Sequence, residues 1–286
     1  MEHYVIGIIN PLTSPDDRTI GFIESMAESG YEEGQNITYI KYEGRINPDT
    51  ALDDLIERDV DIILTVTIPA TQKAIKAVED TNIPVVFIVY DAVNCGLAEK
   101  HSQSGGNFTG VQTRGSAPMA VQWLLTINSE VEQIYMPVKF DTPAAELSLK
   151  DIKEGAEEFG IKFTASEVNT MEELDKFLDS IPDNVDAIFI LANLTKVIEA
   201  AAKRKLLTFS AIEKYNEGVL ISYGAEDITT GKQAGRLAKM ILQGIPANDI
   251  PIETGNFFLG VNLKTAEALG VNIKNEILQS ADNIKW

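Results

Sequence analysis

Asp61-Ile62-Ile63-Leu64-Thr65-Val66-Thr67, continuing into Ile68-Pro69-Ala70-Thr71-Gln72, reads as a buried strand that turns directly into a helix. A short apolar run rich in β-branched residues, without polar alternation, suits a strand covered on both faces. Pro69 suits the first position of the helix behind it, through Gln72 to Val78, because the N–H that proline lacks is one that a helix start leaves unpaired. At such a start the free backbone N–H groups carry the positive end of the helix dipole, and the hydroxyls of Thr65, Thr67 and Thr71 stand close by. That combination attracts a carboxylate or a phosphate. No glycine-rich phosphate cradle of the G-x-x-x-x-G-K-S/T or G-x-G-x-x-G kind occurs, so a small anionic or zwitterionic solute is a better expectation than a nucleotide. Taken alone, the stretch would also pass for an ordinary turn of an α/β protein.

Moving outward, the same strand-then-helix alternation surrounds this stretch. Tyr4 to Ile9 reads as a strand, followed by a helix from Pro15 to Glu28 with Ser14 as its N-cap. Ile37 to Tyr42 is a second strand, Asn47-Pro48-Asp49 opens a helix through Arg58, and Pro84 to Val89 is the strand after the anchor. Glycines and asparagines from Asn94 to Gly110 break the rhythm before a short strand at Phe108 to Thr113. The pattern then restarts with helices at 117–128, 143–159, 171–180 and 195–205 and strands at 133–138, 161–166, 187–191, 206–209 and 219–223. Asp227 to Leu242 is an amphipathic helix, and 257–261 and 263–269 are a last strand and helix. Two α/β halves in tandem, each a mostly parallel sheet between helices, are the expected architecture.

Composition narrows the function. The 286 residues can form two domains with separate cores. A net charge of -19 repels nucleic acid and anionic membranes. One cysteine, Cys95, rules out an internal disulfide, and two histidines leave no cluster for a soft metal; neither metal nor cofactor is expected. No apolar run approaches the ~20 residues that span a bilayer. Met1 to Tyr4 enters a strand with no signal peptide, which suits a cytoplasmic protein or an exported one whose leader lies outside this chain.

Open α/β sheets bind ligands outside the carboxyl ends of their strands. In the first half those ends carry Asn10, Thr13, Ser14, Thr67, Pro69, Ala70, Thr71, Tyr90 and Asp91. In the second they carry Phe140, Thr142, Asn193, Ser210, Tyr223, Glu226 and Asp227. For an amino acid, the carboxylate would take N–H groups at Pro69-Ala70-Thr71 and the Thr67 hydroxyl. The ammonium would pair with Asp91, Glu226 or Asp227, and Tyr90, Phe140 and Tyr223 would sandwich the side chain. Each position equally suits a helix cap or a turn former. Catalysis has no visible machinery, since neither His3 nor His101 adjoins a nucleophile and no G-x-S-x-G elbow occurs. A ligand-sensing domain of a membrane receptor is the alternative reading; a repressor would need a basic helix-turn-helix ahead of Tyr4.

Several stretches together carry a family resemblance: Glu28-Ser29-Gly30-Tyr31-Glu32-Glu33-Gly34, Thr67-Ile68-Pro69-Ala70-Thr71, Gly105-Gly106-Asn107-Phe108-Thr109-Gly110, Ser222-Tyr223-Gly224 and Val261-Asn262-Leu263-Lys264-Thr265-Ala266. The chain resembles, over essentially its whole length, the ABC-transporter substrate-binding proteins of the type I periplasmic-binding-protein fold whose members bind tryptophan and other aromatic amino acids. The resemblance implies two Rossmann-like lobes joined by crossing strands, with residues 1–113 and 225–253 in the first and 114–224 and 254–286 in the second. It also implies an extracytoplasmic, often lipid-anchored monomer that closes on its solute and hands it to an ABC permease. Family members carry Asp at the position of Asp91 and a small Pro-Ala turn at Pro69-Ala70. This chain departs from them at Lys139 to Pro143 and at Leu191-Ala192-Asn193, so the resemblance does not carry the family's solute specificity over at those positions.

Overall fold

The structure, a computed structural model, describes residues 3–12, 14–102, 104–139, 142–191 and 195–286. In chain order, β1 (Tyr4–Asn10), α1 (Asp17–Glu28), β2 (Ile37–Glu43), α2 (Pro48–Glu57), β3 (Ile62–Val66), α3 (Ile68–Ala77), β4 (Val85–Val89) and β5 (Phe108–Gln112) come first. Next are α4 (Ala117–Ile127), β6 (Gln133–Val138), α5 (Pro143–Glu158), β7 (Lys162–Glu167), α6 (Met171–Ser180), β8 (Ala187–Phe189), α7 (Thr195–Arg204), β9 (Leu207–Ser210) and β10 (Ile221–Ala225). The chain ends with α8 (Asp227–Leu242), β11 (Glu253–Thr254), β12 (Phe257–Asn262), α9 (Leu263–Leu269), α10 (Asn275–Ser280) and β13 (Asn283–Lys285). They form two compact units, Met1–Arg114 with Asp227–Asn256 and Gly115–Glu226 with Phe257–Trp286. The boundaries implied by the resemblance fall one to three residues before these.

Unit 1 holds a six-stranded sheet in the order β11-β5-β4-β3-β1-β2, parallel at every pairing. Its central strands are almost wholly buried because helices cover both faces: β3 and β4 have no exposed residue at all. On one face Ile6, Ile8, Ile62, Leu64, Val86 and Ile88 pack against Phe22 and Met26 of α1 and Leu237 of α8. The seam between α1 and α8 is glycine-lined. A Cβ on Gly21 would stand 2.0 Å from the Ile228 carbonyl oxygen, and one on Gly231 would stand 2.1 Å from that of Arg18. Only glycine lets the two backbones approach so closely.

Unit 2 holds a seven-stranded sheet, β13-β12-β10-β9-β8-β6-β7. Five strands are parallel, but β12 runs antiparallel to β10 and β13 parallel to β12, so this sheet is mixed. The reversal comes where the chain re-enters this sheet after completing α8 and β11 in unit 1. Val121, Leu124, Ile134 and Ile152 belong to the core on one face, Leu174, Phe177, Val197 and Ala201 to that on the other.

Several local expectations are corrected. Ser14 does not cap α1. The cap is Asp16, in extended conformation, whose carboxylate accepts from the Arg18 N–H at 3.0 Å and pairs with the Arg18 guanidinium at 2.9 Å. A carboxylate at the positive helix end, with its own cation nearby, outcompetes a hydroxyl two residues earlier. Pro69 is the second helical residue, because Ile68 is the first. β11 and β13 are too short to show periodicity, and α10 spans only six residues, less than two helical turns of pattern. Among the described residues no helix is long and apolar enough to cross a membrane.

Candidate functional site

The strand orders place the site before any side chain is considered. In unit 1 the chain moves from β1 outward to β2 and then back past β1 to β3, so the connections leave the sheet in opposite directions on either side of the β1/β3 boundary. Such a switch point opens a crevice at the carboxyl ends of the strands. The turn after β1, which begins at Asn10, and the β3–α3 turn, which contains Thr67 to Thr71, flank it. Unit 2 repeats the scheme with β7-β6-β8, and its switch point lies between the residues after β6 and those after β8.

The β3–α3 turn is built around an unusual backbone. Thr67 has φ 82° and ψ 148°, a region that belongs essentially to glycine. A β-branched residue there is strained by about 1–3 kcal/mol and persists only where its surroundings over-determine it. They do: the Thr67 N–H donates to the Ile88 carbonyl (3.1 Å), and the Thr67 carbonyl accepts from the Thr71 N–H (3.1 Å) and hydroxyl (2.8 Å). The Thr71 hydroxyl lies 2.9 Å from that of Thr65, and both residues are fully buried. Thr71 is therefore a brace for the turn and offers neither its N–H nor its hydroxyl to a solute, contrary to the sequence reading. Helix geometry leaves the N–H groups of Ile68 and Ala70 without a carbonyl one turn back, and Pro69 has none to offer. The Thr67 side chain makes no capping bond and is half-buried at the mouth. Thr67→Gly is expected to raise the urea midpoint of the empty protein by the equivalent of about 1 kcal/mol, strain relieved less the extra chain entropy of glycine. An unchanged or lower midpoint would show that the turn stores no strain.

Asn10 is buried at the end of β1, where it donates to the Thr19 hydroxyl (3.1 Å) and accepts from the Leu12 N–H (3.1 Å). It shapes the loop after β1. Ser14 donates to a carboxylate oxygen of Glu43 at 2.7 Å. Thr13 lies outside the described residues. Past β4, Tyr90 is half-buried and its carbonyl accepts from the Arg114 N–H at 2.8 Å. Asp91 is 1% exposed, and its carboxylate takes the N–H groups of Val93 (3.1 Å) and Asn94 (2.9 Å), the Asn94 amide (2.7 Å) and the Arg114 guanidinium (2.8 Å). Burial pushes its carboxyl up, but the Asn94 donors and the Arg114 charge outweigh that and hold it below the ordinary range. Asp91 is thus a saturated structural anion rather than a spare partner for an ammonium. Asp227, in the first turn of α8, belongs to unit 1 and pairs with Arg18 at 2.8 Å.

In unit 2, Thr142 is the N-cap of α5 and accepts from the Ala145 N–H at 3.2 Å. Ser210 is buried, donates to the Ile190 carbonyl (2.7 Å) and accepts from the Ile212 N–H (3.2 Å), which makes it a brace between β8 and β9. Glu226 accepts from the Asn283 amide at 2.6 Å. Tyr223 is half-buried on β10 with its ring 5.9 Å from that of Phe257, tilted by 53°. Phe140 and Asn193 lie outside the described residues.

Three residues missed by sequence reasoning belong with these. Arg114 neutralises Asp91, Phe257 completes an aromatic pair with Tyr223, and Glu43 receives the Ser14 hydroxyl at the end of β2. Only Glu43 had a usable signal, its place directly after the expected end of a strand. The others depend on partners more than twenty residues away in sequence. No group of three His, Cys, Asp or Glu among the described residues could hold a metal ion.

The fold is shared with known proteins. The model of a family described as ABC transporter substrate binding protein matches residues 5–285. A tyrosine-binding protein of Clostridioides difficile is 24% identical over 98% of this chain and 84% of its own length. An ABC domain from Streptococcus pneumonia, solved in complex with L-Trp, superposes with a TM-score of 0.87 at 20% identity, covering 99% of this chain and 100% of that one. A conserved domain protein from Vibrio cholerae gives the same TM-score and the same coverages at 23% identity. Solute binding proteins solved with D-arabinose and with myo-inositol also share the fold, with lower TM-scores of 0.68 and 0.65.

Proposed function

Because the chain belongs to the ABC transporter substrate binding proteins, we propose that it captures an aromatic amino acid outside the cytoplasm and passes it to a membrane permease. The observation that carries this reading is the strained Thr67 turn, which holds the N–H groups of Ile68 and Ala70 and a free-standing hydroxyl beside the unit 1 switch point. A helix start with unpaired N–H groups is built for a carboxylate, and backbone strain collects where binding demands it. Tyr90 of unit 1 and the Tyr223–Phe257 pair of unit 2 are aromatic groups of the kind such a side chain would contact. The tyrosine-binding relative and the L-Trp complex support the same class of solute. Permease delivery and the monomeric state follow from the same reading, since a substrate-binding protein must present itself freely to its transporter.

A thermal-shift screen of amino acids, nucleosides, sugars and small organic acids tests this. At a hundredfold excess over Kd, a solute bound only by the folded state adds about 2.7 kcal/mol of stability. Tryptophan, tyrosine or phenylalanine is expected to raise the melting temperature clearly while sugars do not. A shift with a sugar and none with any amino acid would overturn the aromatic assignment. A second readout is mass spectrometry of the solute that the purified protein releases on denaturation.

A further inference from the structure

We propose that unit 2 carries a second binding site, at the edge of its sheet where the parallel strands begin, for a small amphipathic anion: a short apolar body bearing one carboxylate or phosphate. β12 runs antiparallel to β10, so its last residue, Asn262, stands beside Leu220 at the amino end of β10 and donates its N–H to the Leu220 carbonyl at 2.9 Å. β13 extends the row by setting Lys285 level with Asn262. α9 begins directly after β12 and carries Lys264, while α7 runs to the same edge because it feeds β9. These elements enclose a cavity of about 370 Å³, a size typical of small-molecule pockets. Ile198, Leu206 and Leu269 give it apolar walls, and Lys264 and Lys285 line it beside them.

The charges select the occupant. Both lysines are exposed, and neither takes part in an ion pair or hydrogen bond among the described residues, although acidic residues outnumber basic ones by 43 to 24 in the chain. Three neutral polar side chains of the lining are already engaged. The Asn262 amide donates to the Tyr215 carbonyl (2.7 Å) and accepts from the Thr265 N–H (2.9 Å). The Thr265 hydroxyl donates to the Gly218 carbonyl, and that of Thr208 accepts from the Leu220 N–H, both at 2.9 Å. Glu217, the one acid on the lining, is paired with Lys214. The two ammonium groups are therefore the strongest polar contacts on offer. Two like charges on one cavity repel each other and any further cation, so an anion is welcome there and the ammonium of an amino acid is not. The apolar walls reward a short chain or a single ring withdrawn from water. The volume suits a dissolved molecule rather than the paired chains of a membrane lipid.

The test titrates the full chain calorimetrically with octanoate and, as its uncharged match, octan-1-ol. The wild type is expected to bind octanoate with a Kd of about 1 mM or below and octan-1-ol about tenfold more weakly or worse. The double substitution Lys264→Gln and Lys285→Gln is expected to weaken octanoate about tenfold or more and to erase its advantage over the alcohol. Ala202→Trp fills the cavity from an exposed position on α7 and is expected to abolish binding of both. All three positions are exposed, and urea midpoints matching the wild type would show that the variants fold. An absence of octanoate binding by the wild type at about 1 mM, or an affinity within about threefold of wild type in either variant, overturns the site. Excess L-tryptophan is expected to leave the octanoate affinity unchanged, and competition between the two would overturn the separate location. Sedimentation of the wild type with phosphatidylglycerol vesicles, lost on removal of the two lysines, would assign those lysines to a membrane surface and overturn the dissolved anion.

Discussion

Gly231→Val is expected to destabilise unit 1 by upward of about 4 kcal/mol, enough to uncouple α8 from α1. A Cβ at Gly231 would meet the Arg18 carbonyl oxygen at 2.1 Å and the Phe22 nitrogen at 2.9 Å. These are backbone atoms of α1, which cannot rotate away as a flexible side chain would. α1 must retreat along its length. That retreat opens gaps around Phe22, Met26, Ala234 and Leu237, all fully buried in the same core. Overpacking usually costs about 1–3 kcal/mol; the contact here is helix backbone against helix backbone, and the value is correspondingly larger. Urea unfolding followed by circular dichroism reads the effect, and hydrogen exchange should show lost protection concentrated in α1 and α8. A midpoint close to that of the wild type would show that the seam is looser than its geometry implies.

Asp91→Ala is expected to cost about 3 kcal/mol. The substitution leaves the Arg114 guanidinium without its carboxylate and withdraws the acceptor from the Val93 and Asn94 N–H groups and the Asn94 amide. Arg114 is a quarter exposed, at 26%, so water recovers part of the loss, which keeps the figure at the lower end for a broken buried pair. The pH dependence has a definite sign. The folded carboxyl is held below its ordinary value of 3.8, so its contribution is complete above about pH 5 and disappears as pH falls through 3.8 toward the folded value. Asp91→Asn should therefore lie below the wild type at neutral pH and approach it in acid. Parallel stability curves from pH 7 to 3 would contradict the ion pair.

Much of this molecule is readable from local pattern. Met171 to Ser180, Asp227 to Leu242 and Leu263 to Leu269 are helices with the bounds that apolar spacing and caps suggest, and β6 spans Gln133–Val138 as its residues imply. These elements agree because propensity, periodicity and end signals point the same way. Disagreement arises where two neighbours compete for one role, as Ser14 and Asp16 do at the start of α1, or where an element is too short to repeat, as in β11 and β13.

The site divides along the same line. Sequence by itself determined that strand-to-helix turns rich in hydroxyls and acids recur and that Thr67 to Ala70 begins a helix after a buried strand. Those conclusions need only side-chain chemistry and spacing along the chain. Tertiary structure alone decided which of the polar groups are already spent. Thr71 and Ser210 brace turns, and Asp91 is saturated by a residue twenty-three positions later. The physical reason is that hydrogen-bond satisfaction is a property of register and packing. Whether an acid can still receive a solute depends on which distant donors the sheet brings beside it, and no local rule carries that information.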